Sequence, residues 1–255
     1  MAHNLIYYKP PKTFHEVCVD FNGSNEKMGN RGGGSGNAMG FGGKFAVSAW
    51  IKTDSVTGGG FHTILRIEDP IGTDFEMALT HENASVRVEV NNGLNFRIIN
   101  FASTLSANVW IHLFFTVDMA VAADVVLYKD SVLKTPSTLL DFTASLSDVD
   151  RTVFIGGNEQ DTQWFNGRIY SVAIWDTDAW VQSGVDQIYN SGDGRFDLST
   201  NLLNYVRAAN LQHWWQLGRD DTDIGKDSGN GSPLIDVDDD SANITTADII
   251  EDFPS

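Results

Sequence analysis

The oxygen-rich run Asn158-Glu159-Gln160-Asp161 is the stretch of this chain whose side chains and spacing best suit chemistry. Two carboxylates and two amides in four residues offer hard donors to a cation that wants six to eight oxygens, or acceptors and donors to sugar hydroxyls. Gln163 and Trp164 follow at once, and an indole beside polar groups is a surface on which a sugar ring can stack. Glu159, Gln160 and Asp161 are therefore the candidate metal ligands, and Asn158, Gln163 and Trp164 the candidate ligand contacts. Two further acidic runs, at 221–227 and 236–240, alternate carboxylates; the second resembles an EF-hand loop but lacks its glycine and closing glutamate. His112 lies in an apolar run and reads as a packed core residue, as do His62 and His213. No spacing supports a serine or cysteine nucleophile, so no catalytic residue is assigned.

The elements around the 158–161 run are β-strands. A short apolar strand at 152–156 leads into Gly156-Gly157. The loop then closes through Phe165-Asn166-Gly167-Arg168 into a strand ending at Trp175. Strict alternation in that strand puts Ile169, Ser171, Ala173 and Trp175 on one face and Tyr170, Val172 and Ile174 on the other. Upstream, strand signals recur at 16–21, 44–53, 61–67, 75–80, 85–90, 94–99, 109–118, 125–129 and 132–134, with turns between them. In 44–53, Phe45, Val47, Ala49 and Ile51 share a face; in 85–90, Arg87 and Glu89 alternate with valines and mark a wet face. Asn91-Asn92-Gly93 predicts a hairpin turn and Asp69-Pro70 another turn. The glycine-crowded stretch 29–43 lacks the Gly-Lys-Ser/Thr of a phosphate cradle and reads as a loop. A helix is predicted at 178–191 with Val181, Val185, Ile188 and Tyr189 on one face, and a short one near 202–209. A strand at 211–217 carries Trp214-Trp215, one of which must face inward. An acidic stretch follows, read as an edge extension or a tail ordered by a partner.

The composition bounds what such a scaffold can do. With 34 Asp and Glu against 17 Lys and Arg the formal net charge is −17, which excludes nucleic acid as the main ligand, since phosphate binding needs cations. Cys18 is the single cysteine, so neither an intrachain disulfide nor a cysteine-based zinc cluster can form. The start lacks the features of a signal peptide, and no apolar run approaches the ~20 residues of a membrane span. The expectation is synthesis in a cytoplasm.

Four segments, in order, carry a family resemblance. FAVSAWIKT (45–53), WIHLFFTVD (110–118) with VVLYKDS (125–131), and FNGRIYSVAIWD (165–176) resemble the hallmark strands of laminin-G-like and pentraxin-like jelly rolls. The resemblance implies a concanavalin A-like, all-β sandwich of two antiparallel sheets over residues 16–217. An extended arm (1–15) precedes it and an acidic tail (218–255) follows. It also implies a calcium site at Glu159, Gln160 and Asp161, which stand where pentraxin-like members carry a Glu-Gln-Asp loop. The loop here is shorter and lacks the further amide and the Asp-Asn pair that complete such sites. Sandwich glycosidases of this kind carry Glu-x-Asp-x-x-Glu on one strand; here Asp74 and Glu76 alternate without a third member.

Three functions are weighed. The free-standing acidic sandwich resembles virion proteins of tailed bacteriophages, which implies a non-catalytic structural or adhesive protein on a capsid or tail surface. Its arm and tail would clasp other virion proteins, or further copies of itself, and its loop would bind host glycans. The alternative is a calcium-dependent carbohydrate-binding lectin not tied to a virion. A sandwich glycosidase comes last.

Overall fold

The computed structural model describes residues 16–30, 43–68, 75–91, 96–118, 120–121, 125–140, 152–219, 223–231, 234–239 and 243–255. The expected N-terminal arm, most of the glycine stretch, Asp74, and the turns at Asp69-Pro70 and Asn92-Gly93 lie outside these residues, as do parts of both acidic runs.

Two eight-stranded antiparallel sheets form the expected sandwich. The first, sheet A, contains β1 (Cys18–Asn22), β3 (Lys44–Thr53), β8 (Ile111–Asp118), β9 (Val125–Lys129), β10 (Val132–Lys134), β13 (Asn166–Trp175), β14 (Leu211–Gln216) and β16 (Ile249–Ile250). Sheet B runs in the order β11 (Thr138–Leu140), β7 (Phe96–Phe101), β6 (Ser85–Asn91), β5 (Phe75–Glu82), β4 (His62–Glu68), β12 (Thr152–Ile155), β2 (Met28–Gly29) and β15 (Asp238–Asp239). Strands β2 and β11, at two and three residues, are too short to show alternation, and the sequence pattern does not reveal them.

The apolar alternation builds one core between the sheets. Phe45, Val47, Ala49 and Ile51 of β3 meet Leu65, Ile67, Met77, Leu79, Val86, Val88 and Val90 of sheet B, all fully buried. Trp215 joins this core and donates its indole N–H to Ile235 O at 2.7 Å, whereas Trp214 faces the other way and donates to Ser171 Oγ at 3.0 Å.

Strand β13 departs from strict alternation. Its pairing with β3 runs Ile169↔Ile51 and then Ser171↔Trp50, so Tyr170 is the extra residue of a β-bulge. The bulge resets the faces: Ile169, Val172 and Ile174 point into the core, while Ser171, Ala173 and Trp175 point outward. Tyr170 packs outside the core with Cys18 and Trp50. The bulge also lets one edge of β13 pair with β1 over its first half and β14 over its second.

The outward face of sheet A is covered. Trp175, Phe114 and Trp214 are buried beneath helix α1 (Gln182–Tyr189), through Val185 and Ile188, and beneath Phe196, Leu198 and Tyr205. The helix is shorter than predicted: Val181 is its exposed N-cap, and Asn190 ends it in the left-handed region at φ 49°. The helix predicted near 202–209 is instead a tight turn bridging Leu202 and Tyr205, then a single 3-10 turn at Ala208–Asn210. The acidic C-terminal stretch completes the molecule, with β15 on β2 and β16 on β1. Asp252 there accepts from Lys52, Arg168 and the Trp110 indole. Among the described residues no helix is long and apolar enough to cross a membrane.

Candidate functional site

The six residues singled out from sequence do converge on one loop, but with divided roles. Asn158 is buried and spends its side chain inside the loop. Its Oδ1 accepts from Thr162 N at 2.9 Å and Gln163 N at 3.1 Å, and its Nδ2 donates to Gln160 Oε1 at 2.9 Å and Thr162 Oγ1 at 3.1 Å. This is an Asx-type turn brace, which suits an amide after two glycines. Gln160 is exposed at its tip, while Glu159 is half-buried and donates its backbone N–H to Glu68 Oε2 at 3.2 Å. Asp161 holds the left-handed region at φ 56° and is exposed.

A lysine fills the space these groups surround. Lys27 Nζ donates to Asn158 O at 2.8 Å and to Asp161 Oδ1 at 2.5 Å, and lies 4.9 Å from the Phe154 ring centre and 5.6 Å from that of Trp164. Its side chain is 1% exposed. Gly157 makes room for it, since a Cβ there would meet Lys27 Cβ at 2.8 Å. A buried ammonium is tolerated only when it is paired and hydrogen-bonded, and this one has a carboxylate, a carbonyl and two π faces. The calcium expected from the resemblance would need the same oxygens. Among the described residues no three His, Cys, Asp or Glu side chains come together to hold a metal ion. The residues of the loop thus fit an ammonium better than a divalent cation.

Gln163 and Trp164 connect the loop to sheet B. Gln163 Oε1 accepts from Arg66 at 3.2 Å and from Thr63 Oγ1 at 3.1 Å, and Trp164 O accepts from the His62 ring at 2.8 Å. The half-buried Trp164 indole therefore stands at the rim of sheet B's outward face. Because Leu65, Ile67, Met77, Leu79, Val86, Val88, Ile99 and Phe101 face the core, the residues that alternate with them face outward, except that a bulge in β4 between Thr63 and Leu65 places Ile64 in the core as well. Register aligns Phe154, Arg66, Ala78, Glu89 and Ile98 in one row across the sheet, and Thr63, Thr80, Arg87 and Asn100 in the next.

This face is polar and balanced. Arg66 pairs with Glu68 and Arg87 with Glu89, and the Arg87 guanidinium lies 4.6 Å from the ring centre of Phe61. Burial raises the carboxyl pKa of Glu68 and Glu89 above the ordinary range, only partly offset by their arginines. Thr80 Oγ1 is buried on the same face with no protein hydrogen-bond partner. Such a hydroxyl needs a partner from water or ligand. Arg66, Glu68, Thr80 and Lys27 escape sequence reasoning, because nothing local marks them; the alternation of Arg87 and Glu89 with valines is the one visible signal.

The remaining sequence candidates are structural. His112 is fully buried, shares a 2.8 Å hydrogen bond with Ser48 Oγ and stacks on Trp50 and Tyr189; burial pushes its pKa down to about 3. His213 bonds Asp227 Oδ2 at 2.6 Å. Asp227, from the first acidic run, also accepts from the backbone N–H groups of Trp214, Gly229 and Ile235. Burial opposes its charge, but the His213 and N–H donors prevail and hold its pKa below the usual carboxylate value.

The family model described as the concanavalin A-like lectin/glucanases superfamily matches residues 34–182. The chain belongs to that superfamily. Among solved structures it is similar to a heptameric SAP-like pentraxin from Limulus polyphemus, at 12% identity and a TM-score of 0.50, covering 68% of this chain and 81% of that one. The carbohydrate-binding module CBM40 of the Ruminococcus gnavus IT-sialidase, bound to α2,3-sialyllactose, matches at 16% identity and a TM-score of 0.50, over 65% of this chain and 92% of that one. A putative carbohydrate-binding protein from Bacteroides ovatus matches at 18% identity and 0.50, over 78% of this chain and 51% of that one. No curated protein sequence matches.

Proposed function

We propose that this superfamily member is a non-catalytic carbohydrate-binding domain whose ligand lies on the outward face of sheet B, beside Trp164. The carrying observation is the asymmetry of the two outward faces among the described residues. Sheet A's is apolar, with Phe114, Trp175 and Trp214 buried under α1 and its neighbours, whereas sheet B's carries the polar Arg66, Thr80, Arg87, Glu89, Asn100 and Gln163, of which Thr80 and Glu89 are buried and the others half-buried, with a half-buried indole at the rim. Sugars are recognised by such groups, hydroxyl by hydroxyl, with an aromatic plane against the ring.

Charge narrows the class. Arg66 and Arg87 each carry a carboxylate partner, so among the described residues this face offers an acidic sugar no uncompensated guanidinium. It suits neutral, hydroxyl-rich glycans. Glu68 and Glu89 stand on β4 and β6, with β5 between them, and each is held by an arginine, which disfavours the paired acid and base of glycoside hydrolysis. The virion setting expected from the sequence draws no support from the proteins this chain resembles, whose descriptions concern a pentraxin and carbohydrate binding. Carbohydrate binding without a virion is the better-supported function.

A glycan array probed with the wild type and with Trp164→Ala tests this. Retention of one or more neutral glycans by the wild type, weakened about tenfold in the variant by loss of ~1.4 kcal/mol of stacking, is expected. Retention of no glycan would refute it.

A further inference from the structure

We propose that the Lys27 ammonium is the resident cation of the 157–161 loop, so that this loop and the rim residue Trp164 are held in place without a divalent metal. The loop needs a positive charge at its centre, because Asn158 O and Asp161 Oδ1 converge there, and Lys27 Nζ lies within 2.8 Å and 2.5 Å of them. Its position is set by the sheet. Met28 and Gly29 pair with Ile155 and Phe154, which brings the residue just before β2 under the loop that follows β12. Gly157 leaves a passage for the lysine stem that any side chain would close. Phe154 and Trp164 provide the remaining walls, and their negative π faces attract the ammonium.

Three of the side chains that might ligate a metal, Asn158, Gln160 and Asp161, are turned to partners within the loop or to Lys27. Gln160 Oε1 takes a hydrogen from Asn158 Nδ2, and both Asn158 side-chain atoms are engaged within the loop. An ammonium cannot be removed by a chelator, so this closure is permanent. Sugar binding at the adjoining face is then metal-independent, a consequence that rests on the carbohydrate-binding function proposed above.

The test needs no sugar. Thermal unfolding of the full chain is measured with millimolar calcium and with chelator. Amide exchange of residues 158–163 is measured in the wild type, Lys27→Met and Asp161→Asn. The expected result is the same Tm with calcium and with chelator, together with at least tenfold faster exchange of the loop amides in both variants. Asp161 is 56% exposed, so Asp161→Asn keeps the test informative where Lys27→Met fails to fold. Acylation followed by mass spectrometry gives a second measure. Lys27 should react far more slowly than Lys44, which is 57% exposed, with or without calcium. A calcium-dependent rise in wild-type Tm that Asp161→Asn abolishes would overturn the proposal, as would unchanged loop exchange in both variants or rapid acylation of Lys27.

Discussion

Asp227 and His213 show how this acidic chain uses a carboxylate it can bury. The pair is almost wholly shielded from solvent, and Asp227 gathers the backbone N–H groups of Trp214 in β14 and of Gly229 and Ile235 in the segment that follows. Removing one partner leaves the other charge or dipole stranded, so Asp227→Ala should cost about 3–5 kcal/mol in urea unfolding. The buried histidines set a pH dependence. Burial holds His81 down to about 4 and His112 down to about 3, against an ordinary value of 6.5. Below pH 6.5 the unfolded chain takes up protons that the folded one refuses, so stability falls as pH drops toward 4. His81 alone supplies on the order of 3 kcal/mol of that fall. Glu68 and Glu89, raised by burial, act in the opposite sense at the acid end of this window. Replacing His81 with Gln should flatten the decline of Tm between pH 6.5 and 4; an unchanged slope would show that His81 titrates normally. At this scale sequence reasoning reached the loop and missed its cation. The 158–161 run announces oxygen donors, but Lys27 lies 134 residues from Asp161 in an unremarkable polar turn, and only the β2–β12 pairing brings them together.

The strands that frame the site were legible because each presents an apolar face to one core, and period-two patterning records that directly. What patterning cannot record is a bulge. Assigning Ile169 and Trp175 to one face is sound for a regular strand, yet the extra residue Tyr170 sends Ile169 into the core and Trp175 out beneath α1. Just before it, Gly167 sits at φ 133°, and a Cβ there would meet Lys52 O at 2.3 Å. Gly167→Ala should therefore destabilise by about 3 kcal/mol or more, combining backbone strain with a clash against main chain, as read from denaturant midpoints. The short strands β2, β11, β15 and β16 carry too few residues for any pattern, and they are specified by the edges they complete.

At the scale of the molecule, the C-terminal stretch closes the covered face of sheet A, and its acidity is part of how it docks. Asp252 reaches Lys52, Arg168 and Trp110, and Phe253 joins the cluster around Cys18, Trp50 and Tyr170. Cys18 is fully buried there, and burial first, then Asp252, push its thiol pKa up to about 12. Truncation after residue 247 should convert a thiol that ignores Ellman's reagent into one that reacts within minutes; slow reaction in the truncated chain would show that β16 is not what shields it. With that face sealed, recognition falls to the opposite side. Titration of isotope-labelled protein with the neutral oligosaccharides that an array selects tests this most directly. Saturable shifts concentrated on the amides of Arg66, Thr80, Arg87, Asn100 and Trp164 are expected. Shifts clustered instead around α1 and the C-terminal segment, or none at saturating sugar, would contradict it.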